Sequence, residues 1–225
     1  MIEPDDYARW RASPVGALTE RLEQEVIFKL AGDVRGRSVL DVACGDGAYS
    51  ISACKRGARV VALDRSPGML EAARRRAEDC RESIEFCQAA AEALPFYADA
   101  FDTVIAVTTL CFVKDPQPTI QEAVRVLRPG GSLIVGELGR YSVWAVGRKI
   151  RGWLGSCTWR GVHYWTFQDL RELVEGAGLR IHSRISAVYY PPVMALAGFL
   201  GRYDPALSRL GQFGAAFIAI KADRE

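Results

Sequence analysis

Six cysteines are present, yet no two stand in a C-x-x-C pair, and His163 and His182 are the only histidines. Without ligand spacing of either kind, neither a structural zinc nor a catalytic metal is expected. No apolar run approaches the ~18 residues that a membrane-spanning helix needs, and the opening residues show no basic-plus-apolar leader. Charge is nearly balanced, at 29 basic and 27 acidic residues and a formal net charge of +2, so the chain makes no electrostatic case for nucleic acid. Repeats and low-complexity tracts are missing too. With its cysteines scattered, the chain is expected to be cytoplasmic, in a reducing compartment. What remains is an ordinary globular composition, 49% hydrophobic over 225 residues, enough for one domain spanning 1–225 with a full core.

The apolar pattern alternates between strand and helix. Residues 1–16, with Tyr7, Trp10, Pro4 and Pro14, are too irregular to assign an element. Leu22, Val26, Ile27 and Leu30 then recur at helical spacing among Glu20, Arg21, Glu23 and Glu25, which predicts an amphipathic helix capped near Thr19 and ending near Gly32. Val39, Leu40 and Val42 read as a buried strand, 43–47 as a glycine turn, and 49–56 as a helix. A second strand, 58–63, ends on Asp64. Ser66 and Pro67 supply cap and first turn for a helix that runs to about Cys80. Within it Arg74, Arg75 and Arg76 form either a basic patch or, as preferred, a solvated helix face.

Residues 84–88, 101–107 and 132–136 read as further strands. Pro116 and Pro118 open a helix carrying Ile120, Ala123, Val124 and Leu127, which Pro129, Gly130 and Gly131 stop. After Glu137 the rhythm breaks. Thr166 caps a helix to about Gly176, and strands over 179–190 and 213–221 suggest an antiparallel pair at one sheet edge. The expected fold is therefore α/β: a doubly wound, Rossmann-like sheet of seven strands, mostly parallel, with an antiparallel last strand.

The stretch SVLDVACGDGAYS, residues 38–50, organises the chain. It is compatible with a purely structural turn. It is also compatible with a dinucleotide fingerprint, G-x-G-x-x-G, except that Ser50 stands where the third glycine or alanine belongs. A third pattern fits more of the chain. Asp41 precedes Gly45 and Gly47 in D-x-x-x-G-x-G; Asp64 ends the next strand; Ser66, Met69 and Leu70 give S-x-x-M-L. Ala91-Glu92-Ala-Leu94-Pro95-Phe96, Phe101-Asp102-Thr-Val, Asp115-Pro116 and Arg125-Val-Leu-Arg-Pro-Gly-Gly131 follow in order.

This series, covering residues 38–137, resembles the class I S-adenosylmethionine-dependent methyltransferases of the small-molecule branch, related to enzymes of quinone biosynthesis. The resemblance implies S-adenosylmethionine as cofactor and a small molecule as methyl acceptor. A carboxylate at a strand end accepts hydrogen bonds from both hydroxyls of a ribose, the role expected of Asp64. By resemblance, Gly45 and Gly47 let the cofactor approach bare backbone, Asp41 supports its ammonium side, and Ala91 offers a backbone N–H to the adenine. Met69 would pack on that ring as a soft apolar wall, or else be a helix-core residue. Ala43, Arg65, Glu92 and Val107 complete the cofactor set. Two positions depart from the family. Ala90 replaces the Asp that often takes the adenine amino group, and Cys111-Phe112 stand where relatives often carry two histidines.

The acceptor side is read from two insertions, 139–165 and 191–211. The first holds Trp144, Trp153, Trp159 and Trp165 with five basic and no acidic residues; the second is largely apolar, with Met194, Leu196, Phe199 and Leu200. This combination suits an apolar or aromatic acceptor carrying negative charge. The insertions read as a substrate cap, as a surface that meets a membrane, or as plain packing at the sheet edge. The catalytic base is not assigned; His163 is a candidate, packing structurally being the other reading, while His182 looks structural. Tyr7, Tyr189 and Tyr190 are further candidates to line the pocket. The alternatives to a methyltransferase are a nicotinamide-dependent oxidoreductase, which Ser50 and the edge pair oppose, and a cofactor-binding module without activity.

Overall fold

The computed structural model describes residues 4–225, so residues 1–3 of the expected 1–37 cover lie outside the described residues. Two helices precede the first strand, α1 (Pro4–Ala12) and α2 (Pro14–Ala31). From Pro4 on, the stretch too irregular to assign is thus helical on both sides of Ser13. Ser13, not Thr19, caps α2: its hydroxyl accepts the Gly16 N–H at 3.1 Å, and Pro14 fills the first turn, where a missing N–H costs nothing. Thr19 lies inside the helix and is buried, donating to the Val15 carbonyl and meeting the Tyr190 hydroxyl at 2.9 Å.

The predicted alternation follows as β1 (Ser38–Val42), α3 (Ala48–Lys55), β2 (Arg59–Asp64), α4 (Pro67–Cys80), β3 (Glu85–Gln88), β4 (Phe101–Val107), α5 (Gln117–Val126) and β5 (Leu127–Leu138). Ser66 caps α4 by accepting the Met69 N–H, as read from the sequence. Beyond β5 come α6 (Val143–Trp153), α7 (Phe167–Gly176), β6 (Arg180–Ala187), α8 (Met194–Leu200), short helical turns over 201–210, and β7 (Phe217–Asp223). Thr166 and Asp169 close a reciprocal capping box on α7.

Both strands of the expected antiparallel pair are shorter than their apolar runs suggest. β6 stops at Ala187 because Val188 takes a positive φ of 64° and the Val188 and Tyr189 N–H groups turn to the buried Asp204 carboxylate, at 3.0 and 2.8 Å. β7 begins only at Phe217 because Phe213 leaves the sheet to stack on Tyr141, ring centroids 5.2 Å apart.

The sheet order is β3-β2-β1-β4-β5-β7-β6, with β7 antiparallel to both its neighbours and the other adjacent pairs parallel. Central strands are buried on both faces, so their side chains alternate between two apolar layers. Val104, Ala106, Leu133, Val135, Ile218 and Ile220 join one, covered by Ile120 of α5 and Leu170 of α7. Ile105, Val107, Ile134, Phe217 and Ala219 join the other, covered by α2, α3 and Trp144 of α6.

The three arginines of α4 do not share one environment. Arg75 is solvated and pairs with Glu71. Arg76 departs from the solvated face: it bonds Glu20 at 2.9 Å and Asp46 at 3.2 Å, and Arg11 pairs with the same two acids. Alternating charges thereby tie α1 and α2 to the glycine turn and to α4.

Candidate functional site

In a doubly wound sheet the ligand crevice opens where strand order reverses, at the carboxyl ends of the strands. Here that point lies between β1 and β4, flanked by β2. A cavity of about 380 Å³ occupies it, lined by the ends of all three strands: Asp41, Ala43, Leu63, Asp64, Val107, Thr108 and Thr109. Its volume falls within the range of small-ligand sites, roughly 300–1,000 Å³. The backbone is bent to make this floor, since Ala43 and Thr108, neither a glycine, take φ of 56° and 49° directly after β1 and β4.

Asp64 is held by both oxygens. Oδ2 accepts the Gly45 N–H at 2.9 Å and Oδ1 the Ser66 N–H at 2.8 Å. Each carboxylate oxygen can accept a second bond, so the group is oriented and still open to a ligand. Asp41 is 2% exposed, and burial pushes its carboxyl up to about 7 against the opposing pull of its bond from Ser50.

The two glycines do different things. A β-carbon on Gly45 would meet nothing within 4 Å, whereas one on Gly47 would lie 3.1 Å from Ala73 Cβ on α4. Gly45 opens the cavity. Gly47, which does not line it, lets α4 approach the start of α3.

Nine of the ten expected cofactor residues therefore line one cavity: Asp41, Ala43, Gly45, Asp64, Arg65, Met69, Ala91, Glu92 and Val107. Also there are Tyr7 from α1, Tyr49 from α3, and Phe112 and Val113 beyond β4. Cys157, Thr158 and Arg160 reach it from the tryptophan-rich insertion. Tyr189 and Tyr190 are not among the lining residues. Tyr189 bonds Ser186 and Gly211, and Tyr190 is buried against Thr19.

His163 is also outside the lining. Its ring packs edge-to-face on Trp165 at 4.4 Å, its backbone N–H donates to the Cys111 carbonyl, and desolvation, then Arg140, lower its pKa. His182 lies 3.5 Å from Asp223 on exposed sheet edge. Of the pair Cys111-Phe112, Phe112 faces the cavity and Cys111 is turned into the core.

One organising residue carried no signal in the sequence. Glu137, at the end of β5 and fully buried, accepts three successive N–H groups, from Thr109 and Leu110 on Oε1 and Cys111 on Oε2, at 3.0, 2.7 and 3.2 Å. It thereby fixes the segment between Thr109 and Phe112 as the cavity wall. An acid closing an apolar strand gave no indication of loop anchoring.

Four carboxylates line the cavity, Asp41, Asp46, Asp64 and Glu92, against the guanidinium groups of Arg65 and Arg160. Asp46 is already paired with Arg11 and Arg76 and burial raises the pKa of Asp41, which leaves Asp64 and Glu92 as carboxylates without a basic partner among the described residues. Fold and site together define a ligand-binding protein of the doubly wound α/β class, its cavity at the switch point of the sheet.

Relatives agree. The profile of a family described as a methyltransferase domain matches residues 40–135. An uncharacterised protein of Mycobacterium tuberculosis is 32% identical over 217 residues, 96% of this chain and 70% of that one. The demethylmenaquinone methyltransferase of Clavibacter sepedonicus is 43% identical over 119 residues, about half of each chain (52% and 48%). Among solved structures, a SAM-dependent methyltransferase of Thermotoga maritima, described as a possible histamine N-methyltransferase, superposes with a TM-score of 0.77 at 22% identity over 98% of this chain and 95% of that one. The chain belongs to the class I S-adenosylmethionine-dependent methyltransferases. It is an enzyme whose cofactor is S-adenosylmethionine.

Proposed function

We propose that this enzyme methylates a small apolar or aromatic acceptor bearing negative charge, held between the cofactor and the insertion at 139–165. The observation that carries this reading is the shared lining: Thr158 and Arg160 of the insertion face the same cavity as Asp41 and Asp64. Arg160 supplies a cation at the acceptor end, and Tyr7, Tyr49, Phe112 and Val113 supply aromatic and apolar walls. Residues 139–165 and 191–211 act as the substrate cap of one domain, with 1–37 as its N-terminal cover.

In the cofactor half, Asp64 takes the ribose hydroxyls, Asp41 the ammonium side, and Met69 and Ala91 the adenine, with Ala43, Gly45, Arg65, Glu92 and Val107 around them. Gly47 acts from behind, by seating α3 against α4. The cofactor supplies an electrophilic methyl group on its sulfonium. The chain supplies alignment and exclusion of water, effects that reach roughly 7–11 kcal/mol in well-oriented systems. His163 plays no part as base in this reading. The cytoplasm is the proposed location, in keeping with six unpaired cysteines.

Transfer of label from methyl-labelled cofactor into a metabolite extract tests the proposal. Labelled anionic aromatic or apolar products are expected, and Arg160→Glu should suppress them selectively. Label appearing only in cationic or strongly polar amines would overturn the acceptor class.

A further inference from the structure

We propose that the outer faces of α6 and the 191–213 segment form a docking surface for an anionic lipid membrane, beside the mouth of the cavity. On α6 the apolar stripe points the wrong way for a core. Val143, Val146, Ile150 and Trp153 share one side of a helix of ~3.6 residues per turn, Leu154 follows at its C-cap, and the five are 64, 57, 45, 86 and 82% exposed. Lys149 and Arg151 fall on the two flanks of that stripe, where their stems can lie along an apolar layer and their charges reach headgroups. The opposite side is anchored: Trp144 and Ala145 are buried, and the Arg148 guanidinium is stacked between the rings of Trp144 and Trp159, at 5.0 and 4.8 Å.

The second segment extends the same surface. Tyr141 stacks on Phe213, and the Trp144 indole N–H donates to the Tyr190 carbonyl at 2.6 Å, so both ends of the 191–213 segment are tied to the start of α6. Met194, Phe199, Leu210 and Phe213 are all more than half exposed. Because β5 and β6 are each antiparallel to β7, both run in the direction of β4, and both segments leave the sheet at the edge where the cavity opens.

Charge selects the occupant. Residues 139–165 and 188–216 hold seven basic residues and a single acid, Asp204, which is buried. That leaves 22 basic and 26 acidic residues elsewhere, so a nearly neutral chain is polarised, with its positive pole on its exposed apolar face. Lys149, Arg151, Arg202 and Arg209 are exposed and make no ion pair among the described residues. An apolar stripe rimmed by unpaired cations fits an anionic bilayer surface, whose attraction adds with each basic residue. A self-complementary protein interface would need acids to meet these cations, and residues 139–165 and 188–216 expose none.

The test is flotation of the full 225-residue chain with vesicles of phosphatidylcholine alone and of phosphatidylcholine mixed with phosphatidylglycerol. Binding is expected to the mixed vesicles, weakened by high salt, with a blue shift of tryptophan emission that Trp153→Tyr removes. Lys149→Glu with Arg151→Glu should lower partition by about tenfold or more, as should Ile150→Ser with Trp153→Ser, while circular dichroism and S-adenosylhomocysteine affinity stay unchanged. No binding to anionic vesicles, or equal binding by these variants, would overturn the proposal. So would a solution dimer that the same substitutions dissociate, since a second copy would then cover the face.

Discussion

The Ser50 hydroxyl donates to the Asp41 carboxylate at 2.5 Å, both side chains being buried. Ser50 occupies the position where a dinucleotide site places its third glycine, and there it replaces the solvent that Asp41 has lost. Ser50→Ala should lower affinity for S-adenosylhomocysteine by about tenfold near neutral pH. It should also raise the Asp41 pKa further, so the deficit shrinks in alkaline buffer. Calorimetry across a pH series reads both effects; an unchanged profile would detach Asp41 from binding.

One pair of variants separates the ribose role proposed for Asp64 from the bonds it makes within the chain. Asp64→Ala removes the proposed ribose acceptor and also orphans the Gly45 and Ser66 N–H groups, so cofactor affinity should drop about a hundredfold or more, with some loss of thermal stability. Asp64→Asn keeps one acceptor oxygen and should recover stability better than affinity. Equal recovery of both would argue for a purely structural acid.

Gly45 and Gly47 both have positive φ, 56° and 79°, so alanine at either position carries a conformational penalty of about 1–2 kcal/mol. Only Gly47→Ala adds a contact with Ala73 on top. It should therefore be the less stable variant in urea unfolding. Gly45→Ala should be the poorer cofactor binder, because its new methyl group enters the cavity.

Glu137→Ala should leave three buried N–H donors without an acceptor. At about 1–3 kcal/mol for each orphaned group, and with some relaxation, a loss of several kcal/mol in chemical denaturation is expected. Glu137→Gln retains one acceptor oxygen and should lose less. Both should reduce methyl transfer, since Thr109 and Phe112 lose their anchor.

Stability of the cofactor-free enzyme should depend on pH in a definite direction. Burial pushes Asp41 and Glu137 up to about 7, against about 4 for carboxyls of an unfolded chain. Between those limits the folded state binds more protons, so these groups make stability fall as pH rises. Asp102, whose burial penalty is outweighed by bonds from Ser38 and Arg128, sits at about 2 and acts oppositely, only at lower pH. Scanning calorimetry should find a lower midpoint at mildly alkaline than at mildly acidic pH, by about 2–4 °C for each kcal/mol. Glu137→Gln should flatten the slope.

The core strands and the nine of ten expected residues that line the cavity were legible because local rules set them: apolar runs, the Ser66 cap, acids at strand ends. The rest depends on contacts distant in sequence. Tyr7 reaches the cavity only because Arg11, Glu20, Asp46 and Arg76 pull α1 onto the turn, and no local pattern in residues 4–12 announces that. Gly45 and Gly47 look alike in sequence and part company only once α4 is in place. Glu137 and the loop it holds are 26 to 28 residues apart. The insertion at 139–165 showed its composition plainly, but the outward turn of the α6 stripe follows from Arg148 taking the inner position between two tryptophans.

The placement of β7 between β5 and β6 sets an order of events for the newborn chain. β6 emerges from the ribosome before β7 yet cannot join the sheet until β7 has filled the gap, so the flank of β5 stays unpaired through synthesis of some eighty residues. An open strand edge of that kind is where chains aggregate or recruit chaperones. Slow codons or a stalled ribosome between β6 and β7 would hold the enzyme in its most adhesive state, with the cofactor half already built.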